Sequence, residues 1–188
     1  PLFIIETAKT IEKSGITKAS SVEEMIKSRL GKLDLATKTL LEECSVIGEQ
    51  FHISIVRQIT SLKTEFITSL HKALQEEFIL QVGTNEYKFK HGLLHSIIYN
   101  QIPQQKSKLL HKKVANAIIA LYPNSLEQHY EKLAYHYAHA GELEQAMKYL
   151  ELAGDRLAEI SLDSTAIEYY EKALKLIERM EHGELTRK

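Results

Sequence analysis

The chain has no tryptophan, a single cysteine and only three prolines among its 188 residues. With Cys44 alone, no disulfide can form within the chain. Its neighbours Leu40, Leu41, Val46 and Ile47 predict a buried, inert thiol, as in a reducing compartment such as the cytoplasm. No apolar run approaches the roughly 20 residues that a membrane-spanning helix needs, and no signal peptide opens the sequence. Pro1 stands first with no initiator Met, an opening expected of a piece of a longer chain. A phosphate-binding P-loop is also missing. The only Gly-Lys pair is Gly31-Lys32, and the position that should hold the first glycine of that motif is Ile26. Without backbone amides to cradle phosphates and a lysine to neutralise them, the chain is not expected to hydrolyse ATP. No Ser/His/Asp, Cys/His or paired-carboxylate set stands at usable spacing, so no enzyme is expected here.

What is present is ordinary in amount and uneven in placement. The composition, 44% hydrophobic and 26% charged, suits a globular protein. The net charge of -1 conceals a segregation. Residues 1–50 carry 7 Lys and Arg against 8 Asp and Glu, residues 51–126 carry 9 against 4, and residues 127–188 carry 8 against 13. The middle is therefore expected to attract anions, and the C-terminal part to repel nucleic acid and attract basic surfaces.

The few prolines leave most of the chain with helical periodicity. Residues 2–13 read as a helix stopped by Gly15. Ser20 or Ser21, with Glu23 or Glu24, reads as a capping box opening a helix to about Leu30. Asp34 caps the next, through Cys44 to Ile47, and Gly48 stops it. Phe51 opens a short helix ending near Ile59, and Thr64 caps one carrying Phe66, Ile67, Leu70 and Leu74 on one face. The period then changes from 3.6 to 2. Residues 78–82 and 86–89 flank Gly83-Thr84-Asn85, a β-hairpin signal. Three helices followed by a two-stranded wing is the winged-helix arrangement. Two further helices follow, His91–Ile102 up to Pro103 and Gln104–Tyr122, before Pro123-Asn124-Ser125, the best domain boundary in the chain.

Beyond Ser125 small residues recur where two antiparallel helices must approach closely, as in tetratricopeptide hairpins. Leu133-Ala134, Tyr137, Gly141, Ala146, Leu150 and Ala153 fit one repeat; Ala153-Gly154, Leu157, Ala166, Tyr170 and Ala173 fit a second. The offset from Ala146 to Ala166 is 20 residues and not the usual 34, so residues 142–160 are expected to serve both hairpins, with turns near Gly141 and near Leu162-Asp163. The expected fold is mainly α. A lid segment (1–33), a winged-helix domain with one small β-hairpin (34–102), a linking helix (103–124) and tetratricopeptide-like repeats (125–182) follow one another.

The order of these motifs resembles the STAND class, the signal-transduction ATPases with numerous domains, and in particular the branch found beside class III nucleotide cyclases, protein kinases and transcriptional activators. Pro1-Leu2-Phe3-Ile4 looks like the end of that class's Gly-x-Pro motif. Val22-Glu23-Glu24-Met25-Ile26-Lys27-Ser28-Arg29-Leu30 with Leu33 resembles its arginine-leucine helix. Val46-Ile47-Gly48 with Phe51, and Phe89-Lys90-His91 with Leu93, Leu94 and Tyr99, resemble its next helix end and its wing-to-helix signature. Leu110-His111, Leu133-Ala134-Tyr135-His136-Tyr137 and Ala140-Gly141 continue the likeness. The resemblance implies a parent protein that binds ATP and ADP as a switch, with an ATPase core upstream. It implies that His91 contacts the diphosphate of bound ADP and that Pro1 lies against the adenine. The apoptotic and plant-immunity members have Asp after this histidine, where this chain has Gly92.

The residues themselves bound these roles. A neutral imidazole at a strand-to-helix junction can donate to a phosphate oxygen, and Lys88 and Lys90 add positive potential near His91. His91 and His95, and His136 and His139, have helix-face spacing but no third Cys or carboxylate, so no metal site is expected. The third helix carries Lys63 and Lys72 against Glu65, Glu76 and Glu77, a poor balance for DNA, although a DNA-binding winged helix with an interaction repeat is the alternative reading. Lys106, Lys108, Lys112 and Lys113 form the better basic patch, expected to be a solvated face or to dock an acidic partner; it lacks the arginine that base reading uses. Among the repeat tyrosines, Tyr130 and Tyr137 are candidates for a protein-binding groove.

Overall fold

Asp34 shows how locally this chain specifies its helices. Its carboxylate accepts from the Thr37 N–H at 2.8 Å, which satisfies one of the unpaired donors at a helix start. In the computed structural model, which describes residues 17–159 and 162–185, that helix is α2 (Leu35–Ile47), preceded by α1 (Thr17–Gly31). β1 (Gln50–His52), α3 (Ile53–Ile59), α4 (Phe66–Gln75), β2 (Ile79–Gln81), β3 (Glu86–Phe89) and α5 (Gly92–Asn100) follow. Then come α6 (Gln104–Leu121), a 3-10 turn (Leu126–His129), α7 (Tyr130–Ala140), α8 (Leu143–Glu159) and α9 (Asp163–Leu185). The described chain is mainly helical, with one small antiparallel sheet.

The sheet corrects the expected two-stranded hairpin. Its order is β1-β3-β2, because residues 50–52 pair with β3, Phe51 opposite Tyr87. The expected helix start at Phe51 moves to Ile53, where the His52 ring, and not a hydroxyl or carboxylate, caps the first turn by accepting from the Ser54 N–H at 3.3 Å. Two other starts also move. The helix read from Ser20 or Ser21 already includes Thr17, the first described residue. The one read from Thr64 begins at Phe66, with Glu65 as its cap residue and no side-chain capping bond. The helix read over 2–13 lies outside the described residues.

Two apolar clusters hold the described elements. The first gathers α1, α2, α4, α5 and the sheet around Phe78, Phe89, Leu40, Leu41 and Ile79, all at most 1% exposed. Arg29 covers it from outside, its guanidinium 4.8 Å above the Phe78 ring, a cation–π contact. The second joins Val46, Ile55 and Ile59 of the first half to α6, α7, α8 and α9, with Val114, Ile118, Leu133 and Ala146 at its centre. The expected turn at Gly141 is present. Its φ of 83° is left-handed, a conformation that favours glycine.

Gly154 on α8 is required for a different reason. A Cβ there would lie 2.6 Å from the Tyr170 ring of α9. Alanine gains about 1 kcal/mol of helix propensity, but the ring must swing and strain its hydroxyl's bond to Asp155 (2.7 Å), and overpacking costs about 1–3 kcal/mol. Gly154→Ala is therefore expected to lower stability by about 1 kcal/mol in urea unfolding. In a Tyr170→Ala background the same substitution is expected to stabilise. A gain in the parent background would mean that the helices do not meet through this ring.

Candidate functional site

β3 delivers the chain to the start of α5, and the residue at that corner is His91. Its backbone is extended (φ −143°, ψ 140°), it caps α5 without a side-chain bond, and it is exposed. The imidazole is thus held by its backbone, with no side-chain capping bond to α5. Phe89, two residues earlier, anchors this corner: its ring packs 5.9 Å from Phe51 and 5.3 Å from His95. The surroundings are less cationic than the sequence implies. Lys90 is paired with Glu77, which holds the Glu77 carboxyl below its usual range. The Glu49 carboxylate lies 3.4 Å from where a Cβ at position 92 would sit, so Gly92 faces an acid and an Asp there would be repelled. Lys88 is exposed. Pro1 lies outside the described residues.

The four lysines of the basic patch divide. Lys106 is paired with Glu42 and Lys112 with Glu142, while Lys108 and Lys113 are exposed. The absence of acids along α6 itself does not leave the patch unneutralised, because the acids arrive from α2 and from the turn before α8. Tyr137 is 6% exposed, stacked on Tyr149 at 5.6 Å, with its hydroxyl donating to Asn116. Half-buried Tyr130 packs on the same Tyr149 at 5.9 Å. Both tyrosines work first as packing between helices. On α4, Lys72 is tied to Asp34 at 2.7 Å.

A polar cluster that sequence spacing missed lies inside the second core. His95 bonds the Ser45 carbonyl at 2.9 Å and stacks on Tyr99. The Tyr99 hydroxyl meets His111 Nε2 at 2.9 Å, and His111 Nδ1 meets His136 Nδ1 at 2.9 Å. The His139 ring lies tilted beside His111, centroids 4.9 Å apart. The chain of contacts runs from α2 through α5 and α6 to α7. His111 and His136 are 0% and 2% exposed. Burial first, then the neighbouring rings, with the Lys132 ammonium also acting on His136, push His111 down to about 4 and His136 to about 3. Both are therefore neutral at pH 7, with one nitrogen of the pair donating to the other. The signal available in the sequence was a histidine on an apolar helix face: His111 shares one with Val114, Ala115 and Ile118, and His136 stands among Leu133, Ala134 and Tyr137. Among the described residues no group of three His, Cys, Asp or Glu could hold a metal ion, and no helix is long and apolar enough to cross a membrane.

No family model and no solved structure matches the chain. An uncharacterized protein of Rhizobium meliloti (strain 1021) is 23% identical over 184 residues, which is 95% of this chain and 18% of that protein. The chain thus spans less than a fifth of the length of the relative it matches.

Proposed function

We propose that this chain is the non-catalytic regulatory region of a larger ATP-binding signalling protein of the STAND class. Residues 34–102 act as a winged-helix unit that docks on an upstream ATPase core. Residues 125–182 act as tetratricopeptide-like hairpins that pass the nucleotide state to a protein partner. His91 is the contact to ADP, and nucleotide shifts the population between docked and released arrangements of the winged-helix unit.

One observation carries this reading. α6 and α7 share a core with Val46 of α2 and Ile55 and Ile59 of α3, so a displacement of the sheet-bearing half is transmitted to the hairpins through packed side chains. The exposed His91 at the end of β3 supplies the contact point, and the likeness to one stretch of a far longer protein suits a region of a multidomain chain. The pairing of Lys72 with Asp34 and Lys90 with Glu77 favours this reading over a DNA-binding one.

In the full-length protein, His91→Ala is expected to weaken ADP binding about tenfold by calorimetry, the loss of one hydrogen bond to a charged group. Unchanged ADP affinity would remove the assignment. Duplex binding by the 188-residue chain with a steep salt dependence would replace the reading with the DNA-binding one.

A further inference from the structure

Between the sheet and α7 lies a cleft of about 640 Å³, within the roughly 300–1,000 Å³ of small-molecule sites. Phe51, Ile55 and Ile118, buried residues from β1, α3 and α6, give it an apolar floor. Its polar wall is unusual in having unused donors. His52 accepts the Ser54 N–H on Nδ1, so its proton sits on Nε2. His136 is 2% exposed and forms part of the wall. Its Nδ1 is taken by His111, and its Nε2 bonds no side chain or backbone group among the described residues.

Lys132 completes the wall. It has no ion pair among the described residues, and its positive charge contributes to lowering both His129 and His136, so its field reaches both rings. Two carboxylates, Glu86 and Glu131, also line the cleft. Glu86 accepts from Gln50 of the same wall at 3.4 Å, and Glu131 helps to raise the pKa of the Tyr169 hydroxyl on α9. The Lys132 ammonium and the Nε2–H groups of His52 and His136 are the donors of this wall that no protein group occupies among the described residues. A bare inorganic anion would leave the apolar floor wet.

We propose that this cleft binds a small organic anion, an apolar body carrying one carboxylate or sulfonate. The body lies on Phe51, Ile55 and Ile118, and the head is held by Lys132 with the Nε2–H groups of His52 and His136. A head group accepting from His136 Nε2–H fixes the direction of the buried chain. His136 Nδ1 then accepts from His111 Nδ1–H, and His111 Nε2 accepts from the Tyr99 hydroxyl. Occupancy is therefore read by α5 and α6 as well as by α7. The site stands on its own geometry and does not require nucleotide binding at His91.

The test is a fluorescence titration of the 188-residue protein with 8-anilinonaphthalene-1-sulfonate at pH 7, with octanoate and inorganic phosphate as competitors. One saturable site is expected, displaced by octanoate and not by equimolar phosphate. Lys132→Ala is expected to weaken the probe about tenfold, as loss of a charge-assisted bond should. Lys132→Arg is expected to restore it, and Lys172→Ala, in the adjoining groove between α7 and α9, to leave it unchanged. Lys132 is exposed, so the variants should melt with the parent. Absence of saturable binding, parent affinity in Lys132→Ala, or displacement by phosphate as effective as by octanoate would each overturn the proposal.

Discussion

Lowering the pH from 8 to 5 is expected to remove about 2–4 kcal/mol of folding free energy through His111 and His136 alone. Both rings are buried in the folded chain and held well below the ordinary histidine value of 6.5. The unfolded chain therefore takes up protons that the folded chain refuses. Stability from this pair is full above pH 6.5 and declines as pH falls towards 4. At pH 5 each unfolded histidine gains about 2 kcal/mol by protonation, which sets the upper end of the range. The groups facing the pair are Tyr99 from α5, and Tyr135, His139 and Lys132 from α7. No carboxylate is bonded to either ring among the described residues, so nothing there holds an added proton. One proton on His111 preserves both of its hydrogen bonds and is opposed by burial. A second sets two N–H groups against each other across 2.9 Å.

Urea midpoints at several pH values between 8 and 4.5 check this. The double variant His111→Leu/His136→Leu is expected to flatten the decline between pH 7 and 5 by more than half. Parallel declines for parent and variant would show that other groups set the acid sensitivity.

Phe89→Ala is expected to destabilise the protein by about 3–5 kcal/mol, the usual cost of emptying a buried aromatic site. Phe89 is 1% exposed. Its ring ties β1 to α5 by contacting Phe51 and His95, and its N–H donates to the Glu49 carbonyl at 2.9 Å. Neither partner ring can move into the space without disturbing other bonds, since His95 is held by the Ser45 carbonyl and Phe51 is packed on Tyr87. Phe89→Leu keeps most of the volume and is expected to cost about 1–2 kcal/mol. Urea unfolding measures both, and an alanine variant within 1 kcal/mol of the parent would mean that this corner repacks freely. Because Phe89 stands two residues before His91, the loss is also expected to loosen the junction that presents the imidazole.

Much of the helical framework was readable from local chemistry. Asp34, Gly48, Pro103 and Gly141 act on the backbone within a few residues, and the helices stop and start at them. A helix does run over most of residues 142–160, as α8, Leu143–Glu159. β1 was not readable. Three residues are too few to display a period, and Gln50–His52 become a strand only because β3 offers free hydrogen-bonding groups 36 positions away. Charge summed along the chain was a poor guide for the same reason. Lys106 and Lys112 meet acids from α2 and from the turn before α8.

By itself, the sequence determined the mainly helical character, the hairpin at Gly83–Asn85 and the lack of a P-loop, because each depends on residues close together in the chain. The tertiary structure alone decided which histidines meet. Spacing paired His91 with His95 and His136 with His139, whereas the buried bond joins His111 to His136 across 25 positions. Such a contact is set by how two apolar helix faces pack, and that packing is a property of the whole core.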